Sequence, residues 1–588
     1  MAEPELHPDY YWRNLRTVVE TVLDAHPGLF TPEQHALFEA WRALPREAQL
    51  LHSRLLLRKG PDFRRSSLAY SEVGDLDRAL AALAEARLVT LDPALPLTER
   101  VELFTVPELR AVASEMGIQL RGRRGAIVEG LLQLPADTVE NRLRRLDPLV
   151  RRHGCTAFSR AQVVFFGNRQ QDMSTFVRVA LDQLRYPDYA VDRSHPLFAD
   201  RAALDEYLAA GARWDAAFAA RMAGDDATLA FLGAEAAQDL VRRADVAPFR
   251  ARVDPARADS RVVYRAARAH ERRGEVQTAD DLYRLLLSTR RHLPTAARAA
   301  DRLGLMRQRL GRTTDLLDLV TPLLGEPGLD DASSSLVDRR LRLARVLNGP
   351  SEAEPLVPER ELSLRSAQAA PADPGDPADE DPPTPAYAGS KALYAGVTGE
   401  ARTVEEAVLE RLGGDGVWCE GSLYTTLFGL LCWDIIFAAV PGAFQHAFQD
   451  APVDFDTALF YLRREPRFRA RFATLADADL AAEVANACQR HGGRSCRGVA
   501  WDRYPPGLLA RAATALGPRL IPILQRLARH PGRHAAGLPD LFLWTAEGPL
   551  LVEVKGPGDQ PSVEQRLWHG WLLQHEVPFL LMRVRRTT

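Results

Sequence analysis

Asp540, Glu553 and Lys555 stand in two apolar runs near one end of the chain. The first is Gly537-Leu538-Pro539-Asp540-Leu541-Phe542-Leu543-Trp544 and the second Leu550-Leu551-Val552-Glu553-Val554-Lys555-Gly556. Hydrolysing a phosphodiester requires neutralising a dianionic transition state and making hydroxide near neutral pH, and hard divalent cations held by carboxylate oxygens do both. Asp540 and Glu553 are suitable ligands. Lys555 beside them could acidify or orient the attacking water, or offset charge at phosphorus. A surface ion pair is the alternative, but strands of a buried type seldom carry charge inward without a purpose.

Composition sharpens the reading of the lysine. Lys59, Lys391 and Lys555 are the only lysines among 75 basic residues, so 75 − 3 = 72 are arginine. Such a bias fits a GC-rich genome, and a lysine kept against it is a candidate for chemistry that needs a compact, strongly hydrated ammonium. Lys59 and Lys391 lack comparable neighbours, and chance survival accounts for them.

The elements that would position these groups follow from the pattern. Two β runs about Glu547-Gly548-Pro549 predict an antiparallel hairpin whose register brings Asp540 close to Glu553 and Lys555. Alternation along a strand puts Glu553 and Lys555 on one face and Val552 and Val554 on the other. Upstream, the apolar run after Ser422 predicts a buried helix with Ser422 at or near its cap. Glu420 then stands just before the positive end of the helix dipole, as a metal ligand or as a plain capping group. Ser562-x-x-Gln565 has the form of a capping box at a helix start.

Pro539-Asp540 followed by Glu553-x-Lys555 matches the PD-(D/E)xK nuclease pattern, a short and promiscuous one. Gly556-Pro557-Gly558-Asp559, then Ser562, Gln565 and Trp568, narrows it and resembles the VRR-NUC nuclease domain. That resemblance puts Gln565 near the site as well as at the helix cap.

The remaining chain supplies context. Residues 1 to 100 have helical periodicity, broken at Pro27, Pro32 and Pro61, with no chemistry to name. Between two short amphipathic helices lies Arg121-Gly122-Arg123-Arg124-Gly125, and the segment 104 to 133 resembles a SAP DNA-binding motif. Residues 255 to 345 are helical and arginine-dense, and one unit resembles a tetratricopeptide pair. Arg290, Arg291, Arg298 and Arg302 could line a phosphate-facing groove there; a solvated face balanced by Glu271, Glu275, Asp280 and Asp281 is the competing reading. Residues 349 to 395 read as an acidic, Pro/Ala-rich linker. The expected domains are therefore a helical N-terminal domain over 1 to 145, a tetratricopeptide-like domain over 146 to 348, that linker, and a nuclease domain over 396 to 588. The fold class is multidomain and mostly α, with a C-terminal α/β restriction-endonuclease-like domain.

In this order of segments the chain resembles the Fanconi-associated nuclease family, as a bacterial member. The resemblance is clear over about 396 to 585 and weaker over 104 to 133 and 258 to 320. It implies that Glu420, Asp540 and Glu553 hold one or two Mg²⁺ or Mn²⁺ ions, that the Val554 carbonyl adds a ligand, and that Lys555 completes the site. It also implies cleavage of 5′ flaps, 5′-3′ exonuclease trimming of the phosphodiesterase I type, and a place in DNA interstrand crosslink repair. The DNA partners would be 5′ flaps and branched or crosslinked structures, with other repair proteins as possible partners. Eukaryotic members carry basic residues between the Gly-Pro-x-Asp turn and the glutamine that help hold a 5′ phosphate. Gln560 to Glu564 contains none, so Arg529, Arg533 or helical-region arginines would have to substitute. A Holliday-junction-type resolvase and a non-catalytic repair scaffold are the alternatives.

Bulk properties exclude other classes. The five cysteines are scattered, with no CxxC pair, which argues against a disulfide framework or a thiolate zinc site. A net charge of −3 gives no global attraction to nucleic acid, so DNA contact would rely on local patches. No apolar stretch is long enough to cross a bilayer, and the start lacks the layout of an export signal. A bacterial cytoplasmic, nucleoid-associated setting is expected.

Overall fold

A computed structural model describes residues 7, 9–243, 253–289, 292–309, 357–365, 394–395 and 401–587. The chain forms two compact units, Met1–Leu184 with Pro196–Leu204, and Arg185–His195 with Asp205–Thr588.

In the first unit the helix Tyr10–Ala25 buries Tyr11, Leu15, Val18, Val19 and Val22 along one face, as the periodicity requires. Thr31 and Gln34 form a capping box that starts the helix Pro32–Ala43, which Arg46–Leu57 follows. A small antiparallel sheet that the periodicity did not reveal interrupts the helices. Strands β1 (Asp62–Arg64), β2 (Val89–Leu91) and β3 (Leu149–Arg152) lie in the order β1-β3-β2. They are three or four residues long, too short for alternation to be read. The two helices expected between 104 and 133 are present as Val106–Glu115 and Arg124–Leu132, packed through Leu109, Val112, Ile127 and Leu131.

The second unit begins with helices. Asp226–Arg242, Pro255–Arg272, Val276–Thr289 and Leu293–Arg309 pack in succession about Leu232, Val263, Ala267, Tyr283 and Leu303. Beyond them a mixed sheet gathers β4 (Glu359–Arg365), β7 (Gly416–Trp418), β8 (Leu541–Thr545), β9 (Gly548–Lys555) and β10 (Phe579–Thr587) in the order β4-β10-β9-β8-β7. Strands β8 and β9 are the antiparallel hairpin, with Leu541 opposite Val552, while β9 and β10 run parallel across the connecting helix Val563–Gln574. Strands β5 (Tyr394–Ala395) and β6 (Ala401–Arg402) form a separate pair.

Strand β4 corrects part of the linker reading. Residues 359 to 365 add in parallel to β10, with Leu364 fully buried and Glu359 and Glu361 ion-paired to Arg583 and Arg585. Charged residues on an edge strand mask the alternation, and their partners lie more than 200 positions away.

The sheet is covered on both faces. Leu551, Phe542, Phe579 and Leu581 join Trp568, Leu572 and the helical core on one side. Leu541, Val552, Val554 and Met582 meet Ala407 and Val408 of the helix Val404–Arg411 on the other.

Candidate active site

Asp540 ends the loop entering β8, and Glu553 and Lys555 stand near the end of β9, so the hairpin brings all three to one end of the sheet. The Val554 backbone N–H donates to Asp540 Oδ2 at 2.9 Å, which fixes one carboxylate oxygen. A strand residue directs its N–H and C=O to the same edge, so the Val554 carbonyl faces the Asp540 side, beyond the last ladder pair of β8.

Glu553 is wholly buried and Lys555 partly so, and Lys555 Nζ lies 2.6 Å from Glu553 Oε1. Gln565 donates to the same oxygen while its own Oε1 accepts from the Ser562 N–H at 2.7 Å, so it both caps its helix and orients Glu553. Glu553 Oε2 is buried with no hydrogen-bond partner among the described residues. Burial and the adjacent Asp540 push the Glu553 carboxyl up to about 8, against the opposing pull of Lys555. Burial also raises Asp540; the Val554 N–H and Lys555 oppose the rise, and Glu405 adds to it. The buried Glu553 and half-buried Asp540 carboxylates thus have one ammonium beside them, and Glu553 Oε2 is left without a donor among the described residues. That deficit of positive charge suits a divalent cation.

Glu420 occupies the turn between β7 and the helix Ser422–Leu431. The Cys419 and Glu420 N–H groups both donate to the Asp540 carbonyl, at 2.7 and 3.2 Å, which ties the turn to the mouth of the hairpin. The Glu420 side chain is exposed, and its backbone takes the left-handed conformation, with φ of 42°. Gly421 follows with φ of 81° and is the helix N-cap, with Ser422 the first helical residue. A Cβ on Gly421 would lie 3.0 Å from that of Leu538. Among the described residues no three His, Cys, Asp or Glu side chains are already gathered as a metal site. Asp540 and Glu553 are joined, and Glu420 lies beside them without closing the set.

The loop ahead of Asp540 is held by the Gln565 helix. Trp568, almost fully buried, donates to the His534 and Ala536 carbonyls at 3.0 and 3.1 Å. A Cβ on Gly537 would lie 2.5 Å from the backbone of Glu564, so this glycine serves close packing of loop on helix. Glu405, on the helix covering the far face of the sheet, went unnoticed in the sequence. Its helix starts at a Thr403/Glu406 capping box, but nothing local relates it to a site more than 130 residues away.

The arginines divide into two kinds. Arg121 and Arg123 are exposed, whereas Arg124 donates to the carbonyls of Phe104, Val101 and Glu102 and pairs with Glu102. Arg124 therefore closes the end of the helix Leu97–Glu102. Replacing it with Ala should lower the thermal midpoint of the protein, while Arg121→Ala with Arg123→Ala should leave that midpoint unchanged and weaken duplex DNA binding. Differential scanning fluorimetry beside fluorescence anisotropy checks both. In the helical region Arg268 and Arg302 pair with Glu271, Arg273 with Glu275 and Arg284 with Asp280, as the solvated-face reading requires. Arg257, Arg261, Arg265 and Arg298 have no acidic partner among the described residues. Burial, then Arg257, Arg298 and Arg265, hold Arg261 below the usual guanidinium value, and burial with Arg261, Arg257 and Arg298 drives His292 down to about 3. Arg290 and Arg291 lie outside the described residues.

A mixed sheet bearing a buried Asp-Glu-Lys cluster at the end of a hairpin defines a nuclease domain of the PD-(D/E)xK type. Residues 476–586 match the family model "VRR-NUC domain", and residues 9–90 match "FAN1, HTH domain". The latter gives the N-terminal segment a family assignment that its periodicity did not reveal. The chain is 28% identical to a Fanconi-associated nuclease 1 homolog of Pseudomonas aeruginosa, covering 99% of this chain and 97% of the relative. It is also 28% identical to the homolog of Oryza sativa, over 95% of this chain and 61% of that protein. The chain thus spans about three-fifths of the plant relative. The crystal structure of paFAN1 bound to DNA with a two-nucleotide 5′ flap and a gap superposes with a TM-score of 0.74 and 26% identity over the full length of both chains. The chain thus matches the FAN1 HTH and VRR-NUC family models and is similar over nearly its whole length to Fanconi-associated nuclease 1 homologs.

Among the described residues no helix is long and apolar enough to cross a membrane.

Proposed function

We propose that the protein is a metal-dependent, DNA structure-specific nuclease of DNA repair that cleaves 5′ flaps and trims from a 5′ end, with interstrand crosslinks among the lesions it serves. The observation that carries this reading is the buried Glu553 carboxylate, with one oxygen unpartnered, beside Asp540 and Lys555. The paFAN1 complex with 5′-flap DNA supports the substrate geometry.

Asp540, Glu553 and the Val554 carbonyl would hold Mg²⁺ or Mn²⁺, one ion or two, with Glu420 approaching from its turn. A bound divalent cation supplies charge neutralisation at phosphorus and acidifies water. The chain's own groups do the rest. The Val554 N–H holds the Asp540 carboxylate, Gln565 fixes Glu553, and the Lys555 ammonium orients the nucleophile and offsets developing negative charge. Arg121 and Arg123 would contact duplex phosphates, as would Arg257, Arg261 and Arg298, which have no acidic partner among the described residues. These helical-region arginines, or Arg529 and Arg533, would supply the 5′-phosphate contact for which residues 560 to 564 lack a cation. The setting is the bacterial cytoplasm, at the nucleoid.

Replacing Arg261 and Arg298 together with Gln should flatten the dependence of log Kd on log salt by about 0.9 for each duplex phosphate that no longer meets an arginine. An unchanged slope would remove both from the DNA-binding surface.

End-labelled 5′-flap, 3′-flap, splayed-arm and four-way-junction DNA, digested with and without Mn²⁺, tests the assignment. Preferred, Mn²⁺-dependent cleavage of the 5′ flap is the expected result. Symmetric cutting of the junction alone would favour a resolvase, and binding without cleavage a scaffold.

A further inference from the structure

The turn that carries Glu420 is held from outside by two consecutive residues of a distant loop. Trp418 ends strand β7, Glu420 and Gly421 are both left-handed, and Ser422 begins the helix. Arg503 donates to the Trp418 carbonyl at 2.8 Å, with its guanidinium 5.6 Å from the Trp418 ring centroid and 5.7 Å from that of Tyr504. The Tyr504 hydroxyl meets Ser422 Oγ at 2.6 Å, and Ser422 Oγ donates in turn to the Cys419 carbonyl at 2.5 Å. Both ends of the turn are therefore gripped, one by each residue of the pair.

The loop bearing the pair is itself anchored. Trp501 Nε1 donates to the Arg494 carbonyl at 2.7 Å, and the Ala500 N–H donates to Thr426 Oγ1, on the Glu420-side helix, at 3.0 Å. Tyr504 is 1% exposed, so its hydroxyl has little freedom to exchange Ser422 for water. On the inner side the turn is tied to the Asp540 carbonyl by the Cys419 and Glu420 N–H groups and to the Pro539 carbonyl by Cys419 Sγ at 3.5 Å. A non-glycine residue at φ of 42° occupies a sparsely populated conformation and persists only where its surroundings over-determine it.

We propose that Arg503 and Tyr504 are positioning residues that clamp the Glu420 turn against the Asp540 backbone and so limit the Glu420 carboxylate to positions from which it can join Asp540 and Glu553 on a bound cation. Their action runs through Glu420 and the backbone, without contact to the reacting atoms. The proposal rests on the nuclease reading above, and specifically on Glu420 as a ligand.

The test is direct titration of the full-length, metal-free protein with Mn²⁺, followed by electron paramagnetic resonance of the free ion, beside thermal unfolding without metal. Tyr504→Phe and Arg503→Met should each weaken Mn²⁺ binding about tenfold, as loss of a ligand's supporting partner does. Arg503→Lys, which keeps a donor for the Trp418 carbonyl, should recover most of the affinity. Glu420→Gln should weaken binding at least as much, and the metal-free unfolding midpoints should stay near wild type. Wild-type affinity in Tyr504→Phe and Arg503→Met, with Glu420→Gln weakened, would overturn the clamp alone. An unaffected Glu420→Gln would overturn the ligand assignment and the clamp with it. Midpoints that fall in step with the affinity would reduce the pair to a structural prop and also overturn it.

Discussion

Asp540→Ala and Lys555→Ala are expected each to lower Mg²⁺- or Mn²⁺-dependent cleavage of a 5′ flap by at least about a thousandfold while leaving DNA affinity within about threefold. The two losses have different origins. Asp540 is anchored to the Val554 N–H and is the carboxylate nearest Glu553 in the hairpin register, so its removal would dismantle the proposed cation site. Lys555 contributes an ammonium whose carboxylate partner is wholly buried, and its removal leaves Glu553 beside Asp540 without a counter-charge. Lys555→Arg should rescue poorly, because a planar fork cannot occupy the place of a compact ammonium in contact with one buried oxygen. Single-turnover cleavage with labelled flap DNA, beside anisotropy in Ca²⁺, separates chemistry from binding. Retained cleavage in both Ala variants would remove the site.

Glu553→Gln should abolish cleavage to a similar extent and yet stabilise the metal-free protein at alkaline pH. The sign follows from the carboxyl's rise to about 8 in the fold, from an ordinary 4.5. A folded-state value above the unfolded one means that the native state holds the proton more tightly. Its contribution to stability is therefore full below the unfolded value and is lost as pH climbs through the folded one. Wild-type metal-free protein should lose thermal stability between those two values, and Glu553→Gln should lose markedly less over the same interval. Addition of Mn²⁺ should restore the wild-type midpoint, since the cation replaces the proton, and should leave the variant unmoved. Unfolding midpoints measured against pH, with chelator and with Mn²⁺, check this. Identical pH profiles for the two proteins would contradict the burial-driven rise.

The hairpin was legible because its information is local. Alternation placed Glu553 and Lys555 on one face, and the register did bring Asp540 alongside. Gln565 was legible twice, as a capping residue and as a neighbour of the site, and it fills both roles through its two amide atoms. Long-range features were hidden. Strand β4 pairs with residues more than 200 positions away, and its charged alternation resembles an exposed tract until Arg583 and Arg585 are placed opposite. The Arg503 and Tyr504 clamp joins loops some 80 residues apart, and no periodicity announces it. Arginine content alone could not separate Arg268 and Arg302, paired with Glu271, from Arg261 and Arg298, which have no acidic partner among the described residues, because that distinction depends on which helix face meets Glu271. In the same way Arg124, adjacent in sequence to Arg123, is consumed in closing a helix end.

Diffraction at the manganese edge from crystals grown with Mn²⁺ tests the central claim most directly. The expected result is an anomalous peak bonded to an Asp540 oxygen and to Glu553 Oε2, a buried atom with no hydrogen-bond partner among the described residues. Manganese bound elsewhere, with Glu553 Oε2 still unpartnered in a protein that cleaves DNA, would contradict it.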